Sequence, residues 1–216
     1  MAQNKPVLYS YFRSSCSWRV RIALVYKGID FEYKAVNLLT GDHQKEDFLK
    51  LNPCGNVPVL TDNGNTIASS AAILEYLEET VPSPALLPKD PVSRAKVREI
   101  VDGILSGIQP LQNMKVLKYV GGENSLSWAK HWIVSGFGAI ERILEGSHGT
   151  YCVGHAVTMA DVCLVPQICN ANRFNVDMTQ FPIINKIASR LSHLEAFKDT
   201  HPFVQPDCPA DLRIPK

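Results

Sequence analysis

The residues of this chain best equipped for chemistry are consecutive: Ser14-Ser15-Cys16-Ser17, continued by Trp18-Arg19-Val20-Arg21. They follow the strand-like Val7-Leu8-Tyr9-Ser10-Tyr11 and head an apolar helical pattern in which Trp18, Ile22 and Val25 fall at i, i+4 and i+7. A helix start presents unpaired backbone N–H groups and a partial positive charge. It therefore stabilises an anion, and a thiolate is an anion. A lone serine at such a place reads as an N-cap. Hydroxyls and a thiol in a row, followed by two arginines, point instead to anion chemistry.

A second group lies in Asn52-Pro53-Cys54-Gly55-Asn56-Val57-Pro58-Val59-Leu60. A proline within an apolar strand cannot donate to the ladder. Either this is an edge strand, or a cis Val57–Pro58 bond turns the Val57 backbone toward a peptide-like ligand that docks as another strand. Ser69-Ser70 form a further helix start, suited to a carboxylate. A thiolate site, a docking strand and a carboxylate site together match the groups of glutathione.

The elements that must position these groups follow from local pattern. The chain predicts a strand over 6–11, a helix over 16–27 stopped by Gly28, a strand over 31–36 and a short helix over 44–50. Strands at 57–61 and 66–67 flank Asp62-Asn63-Gly64-Asn65, a hairpin signal. Ser69-Ser70 then open a helix with Ile73, Leu74 and Leu77 on one face. The order βαβαββα is a thioredoxin-like α/β unit, assigned to residues 1–82. Prolines 82, 84, 88 and 91 mark a linker over 83–90. Beyond it no strand is evident, and 91–119, 124–145, 160–171 and 182–198 read as helices of an all-helical domain over 91–216. Thr158-Met159-Ala160-Asp161 has capping-box spacing, a structural feature.

Composition narrows the function. An apolar fraction of 45% against 20% charged residues calls for a packed core. The net charge of +1, with no basic block, argues against a nucleic-acid partner. Met1–Pro6 carries no apolar signal region and no apolar run reaches membrane-spanning length, so a cytoplasmic protein without a membrane partner is expected. The six cysteines show no C-x-x-C and no metal-ligand spacing, so neither a disulfide framework nor a metal is expected, and Cys163 reads as a core thiol.

The chain resembles the zeta-class glutathione transferases, the maleylacetoacetate isomerases. Ser14 to Arg21 is similar to the class signature, and the likeness extends through Asn52-Pro53 to Val57-Pro58, Glu75-Tyr76-Leu77-Glu78-Glu79, Leu86-Leu87-Pro88 and Ile108-Gln109-Pro110-Leu111-Gln112-Asn113. It continues in Tyr151-Cys152-Val153-Gly154, Thr158 to Asp161 and Ala171-Asn172-Arg173-Phe174. The resemblance implies a homodimer that uses glutathione to isomerise maleylacetoacetate to fumarylacetoacetate in phenylalanine and tyrosine catabolism. It also implies transferase activity on small α-halo acids such as dichloroacetate. Ser14 would stabilise the glutathione thiolate, with Ser15 and Cys16 completing the catalytic group. Ser17, Trp18 and Arg19 would extend the glutathione contacts of that segment. Val57, Ser69 and Ser70 would hold the peptide backbone and γ-glutamyl carboxylate, with His43 or Gln44 reaching in from a nearby loop. Gln109, Asn113, Met114 and Lys115 would approach from the helical domain, and Arg13 and Arg173 would bind substrate carboxylates. Family members usually carry Gln where this chain has Ser69, and a longer side chain where it has Asn56. Each shortening removes up to one hydrogen bond to a charged group, about 1.5–3 kcal/mol.

Two other uses of the same segment stay open. Cys16 could itself be the nucleophile of a thiol transferase or dehydroascorbate reductase, forming a mixed disulfide with glutathione. A non-catalytic module for assembly is the third reading.

Overall fold

A computed structural model describes residues 5–215. Residues 1–4, which carry much of the reading about a leader, and Lys216 lie outside the described residues. The chain separates into two compact units. The first runs to Ala85 and resumes at Leu194; the second is Leu86–His193.

In the first unit the order is β1 (Val7–Ser10), α1 (Ser15–Tyr26), β2 (Glu32–Ala35), α2 (Glu46–Leu51), β3 (Val59–Asp62), β4 (Asn65–Ala68) and α3 (Ser70–Thr80). This is the βαβαββα thioredoxin-like arrangement. The sheet order is β2-β1-β3-β4. β1 and β2 are parallel, which requires a crossover, and α1 supplies it. The other pairs are antiparallel. Asp62 pairs with Asn65 across a two-residue turn in which Asn63 (φ 47°) and Gly64 (φ 79°) are both left-handed, the primed turn that matches strand twist. α1 ends in a Schellman motif: Gly28 N–H donates to the Val25 carbonyl and Ile29 N–H to that of Leu24, with Gly28 at φ 67°.

α1 has no solvated face. Val20, Ile22, Ala23 and Leu24 are fully buried, and so are Ser17, Arg19 and Arg21. The expected apolar stripe is therefore embedded in a helix buried all round, because α1 packs against α3 and against the returning chain. That return begins with α9 (Glu195–Lys198) and ends near the sheet, where Cys208 shares a core cluster with Tyr11, Phe12, Val57 and Val59. The contact boundary thus falls after Ala85 instead of at residues 82 and 91, and residues from Leu194 onward group with the first unit.

The second unit contains α4 (Pro91–Leu105), α5 (Met114–Val120), α6 (Asn124–Ser147), α7 (Met159–Arg173) and α8 (Pro182–Leu191). The single helix expected over 91–119 is broken after Leu105. Pro110, with no N–H to give, opens a 3₁₀ turn, and Asn113 restarts the helix by accepting the Lys115 N–H at 3.0 Å. The helix expected over 182–198 stops at Leu191, and the extended Leu194 carries the chain back toward α1. The capping box forms: the buried Asp161 carboxylate accepts from Thr158 N–H and Oγ1, both at 2.8 Å, and from Cys152 N–H at 2.9 Å. Among the described residues no helix is long and apolar enough to cross a membrane.

Candidate active site

Ser14 is the N-cap of α1. Its backbone is extended, and its Oγ accepts the Ser17 N–H at 3.2 Å. A hydroxyl that accepts a cap bond still has its own proton to donate. The Ser14 N–H closes a turn on the Tyr11 carbonyl at 3.0 Å. Ser15 and Cys16 occupy the first turn, where N–H groups lack partners inside the helix. Ser15 is buried, Cys16 is partly exposed, and the Ser17 Oγ is buried with no hydrogen-bond partner. Trp18 departs from expectation. Its indole N–H donates to Thr200 Oγ1 at 3.0 Å and its backbone N–H to the Ser14 carbonyl. With both donors engaged, no Trp18 hydrogen bond is left for a ligand.

Arg19 connects two helix starts. Its Nη1 lies 3.5 Å from Cys16 Sγ at the head of α1 and donates to Ser70 Oγ at 3.2 Å at the head of α3. The residue is 1% exposed, yet Nε and Nη2 have no partner. A buried guanidinium left in this state costs several kcal/mol, which an anion would offset. Beside it Ser69 has φ 81° and ψ 126° and makes no side-chain cap bond. A non-glycine residue held there costs about 1–3 kcal/mol, a strain that clusters at ligand sites. Arg19 and Arg21 are both buried, at 1% and 0% exposure.

Val57 precedes β3 and lies outside the ladder, which begins at Val59. The Val57–Pro58 bond is cis, as is Ser83–Pro84. The loop before Val57 is built by Asn52: Nδ2 donates to the Asn56 carbonyl at 2.8 Å and Oδ1 accepts the Cys54 N–H at 3.1 Å. Gly55 has the left-handed φ of 58° that favours glycine, and a Cβ there would also crowd the His43 carbonyl at 3.1 Å. Gln44 is exposed and His43 half-buried on that loop. A hydroxyl with a proton to give, an unladdered strand end and a buried cation with two idle nitrogens fit a thiol peptide carrying a carboxylate.

Comparison with known proteins agrees. Residues 6–79 match the N-terminal domain of glutathione S-transferases. A maleylacetoacetate isomerase of Rattus norvegicus is 59% identical over 215 residues, 99% of this chain and 100% of the relative. The chain belongs to the zeta-class glutathione transferases. A zeta-class glutathione S-transferase of Euphorbia esula is 47% identical and covers 94% of each chain. The crystal structure of a maleylacetoacetate isomerase from Anaeromyxobacter dehalogenans with glutathione bound in its active site superposes with a TM-score of 0.88. That chain is 40% identical, with 95% of this chain and 98% of its own covered.

The remaining residues singled out by the zeta-class resemblance are divided between the units. Arg13 is exposed in the turn before Ser14. In the second unit Arg173 is exposed, with Nη2 3.7 Å from Met114 Sδ and Cζ 5.4 Å from the Phe174 ring centre, so it stands beside the 109–115 segment. Gln109 is half-buried, Met114 and Lys115 are exposed, and the Asn113 Oδ1 is committed to its cap. Sequence reasoning missed Asn52, Arg21, Thr200 and Asp207, which shape the site without lining it. Asn52 and Arg21 sit inside the recognised motifs, whereas Thr200 and Asp207 carry no local signal.

Proposed function

We propose that this zeta-class chain is a glutathione-dependent maleylacetoacetate isomerase, acting as a cytoplasmic homodimer, with transferase activity on small α-halo acids. The Ser14 hydroxyl carries the reading: it caps α1 as an acceptor and keeps its proton for a sulfur. Glutathione supplies a thiolate that adds to the cis double bond, which becomes single, rotates, and re-forms trans as the C–S bond breaks, so none is consumed. Ser14 and the first turn of α1 hold that sulfur as an anion. Arg19 and Ser70 provide a cation and a hydroxyl for a glutathione carboxylate, and Val57 offers an unladdered backbone. Arg173 of the second unit supplies a guanidinium for a carboxylate of the dianionic substrate, and Arg13 of the first unit is a second candidate for that role.

Isomerisation of maleylacetoacetate, followed with and without glutathione in wild type and Ser14→Ala, tests the reading. Glutathione-dependent turnover that collapses in the variant supports it. Turnover that survives Ser14→Ala but vanishes in Cys16→Ala would transfer the chemistry to Cys16 and favour thiol transfer.

A further inference from the structure

The turn that presents Ser14 is held from far away in sequence. Arg21 is fully buried, and its guanidinium donates to Ser10 Oγ (3.0 Å), the Tyr11 carbonyl (3.3 Å) and the Phe12 carbonyl (3.0 Å), while Nε reaches the Thr200 carbonyl at 3.3 Å. On the other side of the same residue, Phe12 N–H donates to Asp207 Oδ2 at 2.9 Å. The second carboxylate oxygen is fixed by the Tyr33 hydroxyl at 2.6 Å. Asp207 is itself anchored, because its neighbour Cys208 is buried in the cluster containing Tyr11 and Phe12, and Arg213 ties the Pro206 and Cys208 carbonyls together. Phe12 is thus gripped at its N–H by the C-terminal segment and at its carbonyl by α1, two residues before Ser14. Neither Arg21 nor Asp207 is among the residues expected to touch glutathione or substrate.

We propose that Asp207 and Arg21 are positioning residues for Ser14, and that the C-terminal segment of the chain thereby sets how well the bound thiol is ionised. The inference rests on the reading that the Ser14 hydroxyl faces the glutathione sulfur. Asp207 fixes the peptide plane of Phe12, the turn closed by Ser14 N–H on Tyr11 fixes the cap residue, and the hydroxyl follows. The charged and titratable groups of the first unit around this region include Arg13, Cys16, Arg19, Arg21, Tyr33, His201, Asp207, Cys208, Asp211 and Arg213. Releasing Asp207 alters the turn while leaving Arg19, Ser70 and Val57 in place, so glutathione should still bind.

The test is the ultraviolet thiolate absorbance of bound glutathione against pH, with kcat and KM for isomerisation, in Asp207→Ala, Asp207→Asn and Tyr33→Phe. Asp207→Ala should lower kcat about ten- to a hundredfold, with the thiol ionising at higher pH and the KM for glutathione little changed. Asp207→Asn, which keeps one acceptor, should recover part of the loss, and Tyr33→Phe should show the same shift in weaker form. In Ser14→Ala, adding Asp207→Ala should cost little more, since both act through one hydroxyl. A folded Asp207 variant with a lowered melting temperature but normal thiol ionisation and kcat would overturn the inference. So would additive losses in the double variant. If Asp207→Ala does not fold, Asp207→Asn and Tyr33→Phe decide on the same criteria. Normal thiol ionisation in Ser14→Ala would overturn the Ser14 reading itself, a distinct result that also removes the basis of this proposal.

Discussion

Arg19 and Arg21 stand two residues apart on one helix, both buried, in opposite states. Around Arg21 every guanidinium nitrogen has an oxygen to donate to: Ser10, Tyr11, Phe12 and Thr200. Burial lowers its pKa to about 10, against the opposing pull of Tyr33 and Asp207. Around Arg19 only Nη1 is engaged, with Ser70 and Cys16, and two nitrogens are buried and idle. The contrast separates a cation that holds the fold from one that awaits a ligand. Removing the first should cost stability; removing the second should cost binding.

The largest effect should come from Arg21→Met. Three carbonyls and a hydroxyl would each lose a hydrogen bond, at about 3–5 kcal/mol in all, lowering the melting temperature by roughly 10 °C for a chain of this size. Arg19→Met should behave oppositely. Replacing an under-paired buried charge by an apolar side chain is neutral or stabilising, so the free protein should melt no lower than wild type. Its glutathione affinity should fall about 10- to 100-fold, the loss of a charge-assisted hydrogen bond, and with it the upward shift in melting temperature that glutathione gives. Calorimetric titration and thermal melts on the two variants make the comparison directly. If Arg19→Met destabilises the free protein as much as Arg21→Met does, the distinction fails.

How much of this contrast could be read beforehand follows from the range of the interactions. The cap at Ser14, the Asn63-Gly64 hairpin, the stop at Gly28 and the box at Thr158 were legible because each closes within a few residues. The burial of Arg19 and Arg21 was not. Two arginines spaced i, i+2 carry no sign of what packs on either side, and α9 reaches α1 only after the chain has left the second unit. The Phe12–Asp207 bond spans 195 residues and leaves no trace in either neighbourhood. The helix break after Leu191 was likewise hidden, since Ser192-His193-Leu194 contains no Gly or Pro, whereas the break after Leu105 is signalled by Ser106-Gly107 and Pro110, a signal that sequence reasoning passed over.

Arg173 extends the comparison to an exposed cation. It is exposed, so Arg173→Ala, like Arg19→Met, should not lower the melting temperature, but it should spare glutathione binding. Its effect belongs to the substrate: KM for the dianionic maleylacetoacetate should rise about tenfold, the value of one carboxylate–guanidinium contact partly screened by water. KM for an uncharged alkyl halide should stay near wild type. Steady-state kinetics with both substrates decides, and equal effects on the two would remove charge recognition from Arg173.

The smallest effect concerns His201, which lies on the Arg21 side of the comparison. Its ring meets Trp18 and Phe203 edge-on at 5.3 Å, and its Nδ1 accepts the Phe203 N–H at 3.2 Å, a role that needs the neutral form. Burial, and then the charge of Arg21, hold its pKa below the ordinary 6.5. Between that lowered pKa and 6.5 the unfolded chain binds more protons than the folded one. The contribution is therefore intact above 6.5 and is lost as pH falls through the window. One such group gives a slope of at most about 1.4 kcal/mol per pH unit, less at partial exposure. Melts of His201→Gln, whose amide oxygen can still accept from Phe203, should decline less on acidification than wild type. Arg21→Met should narrow the window by removing a neighbouring charge, and Arg19→Met should leave it where it is. A shift of equal size in both arginine variants would mean that α1 presents a single cationic environment, with no division between a structural end and a binding end.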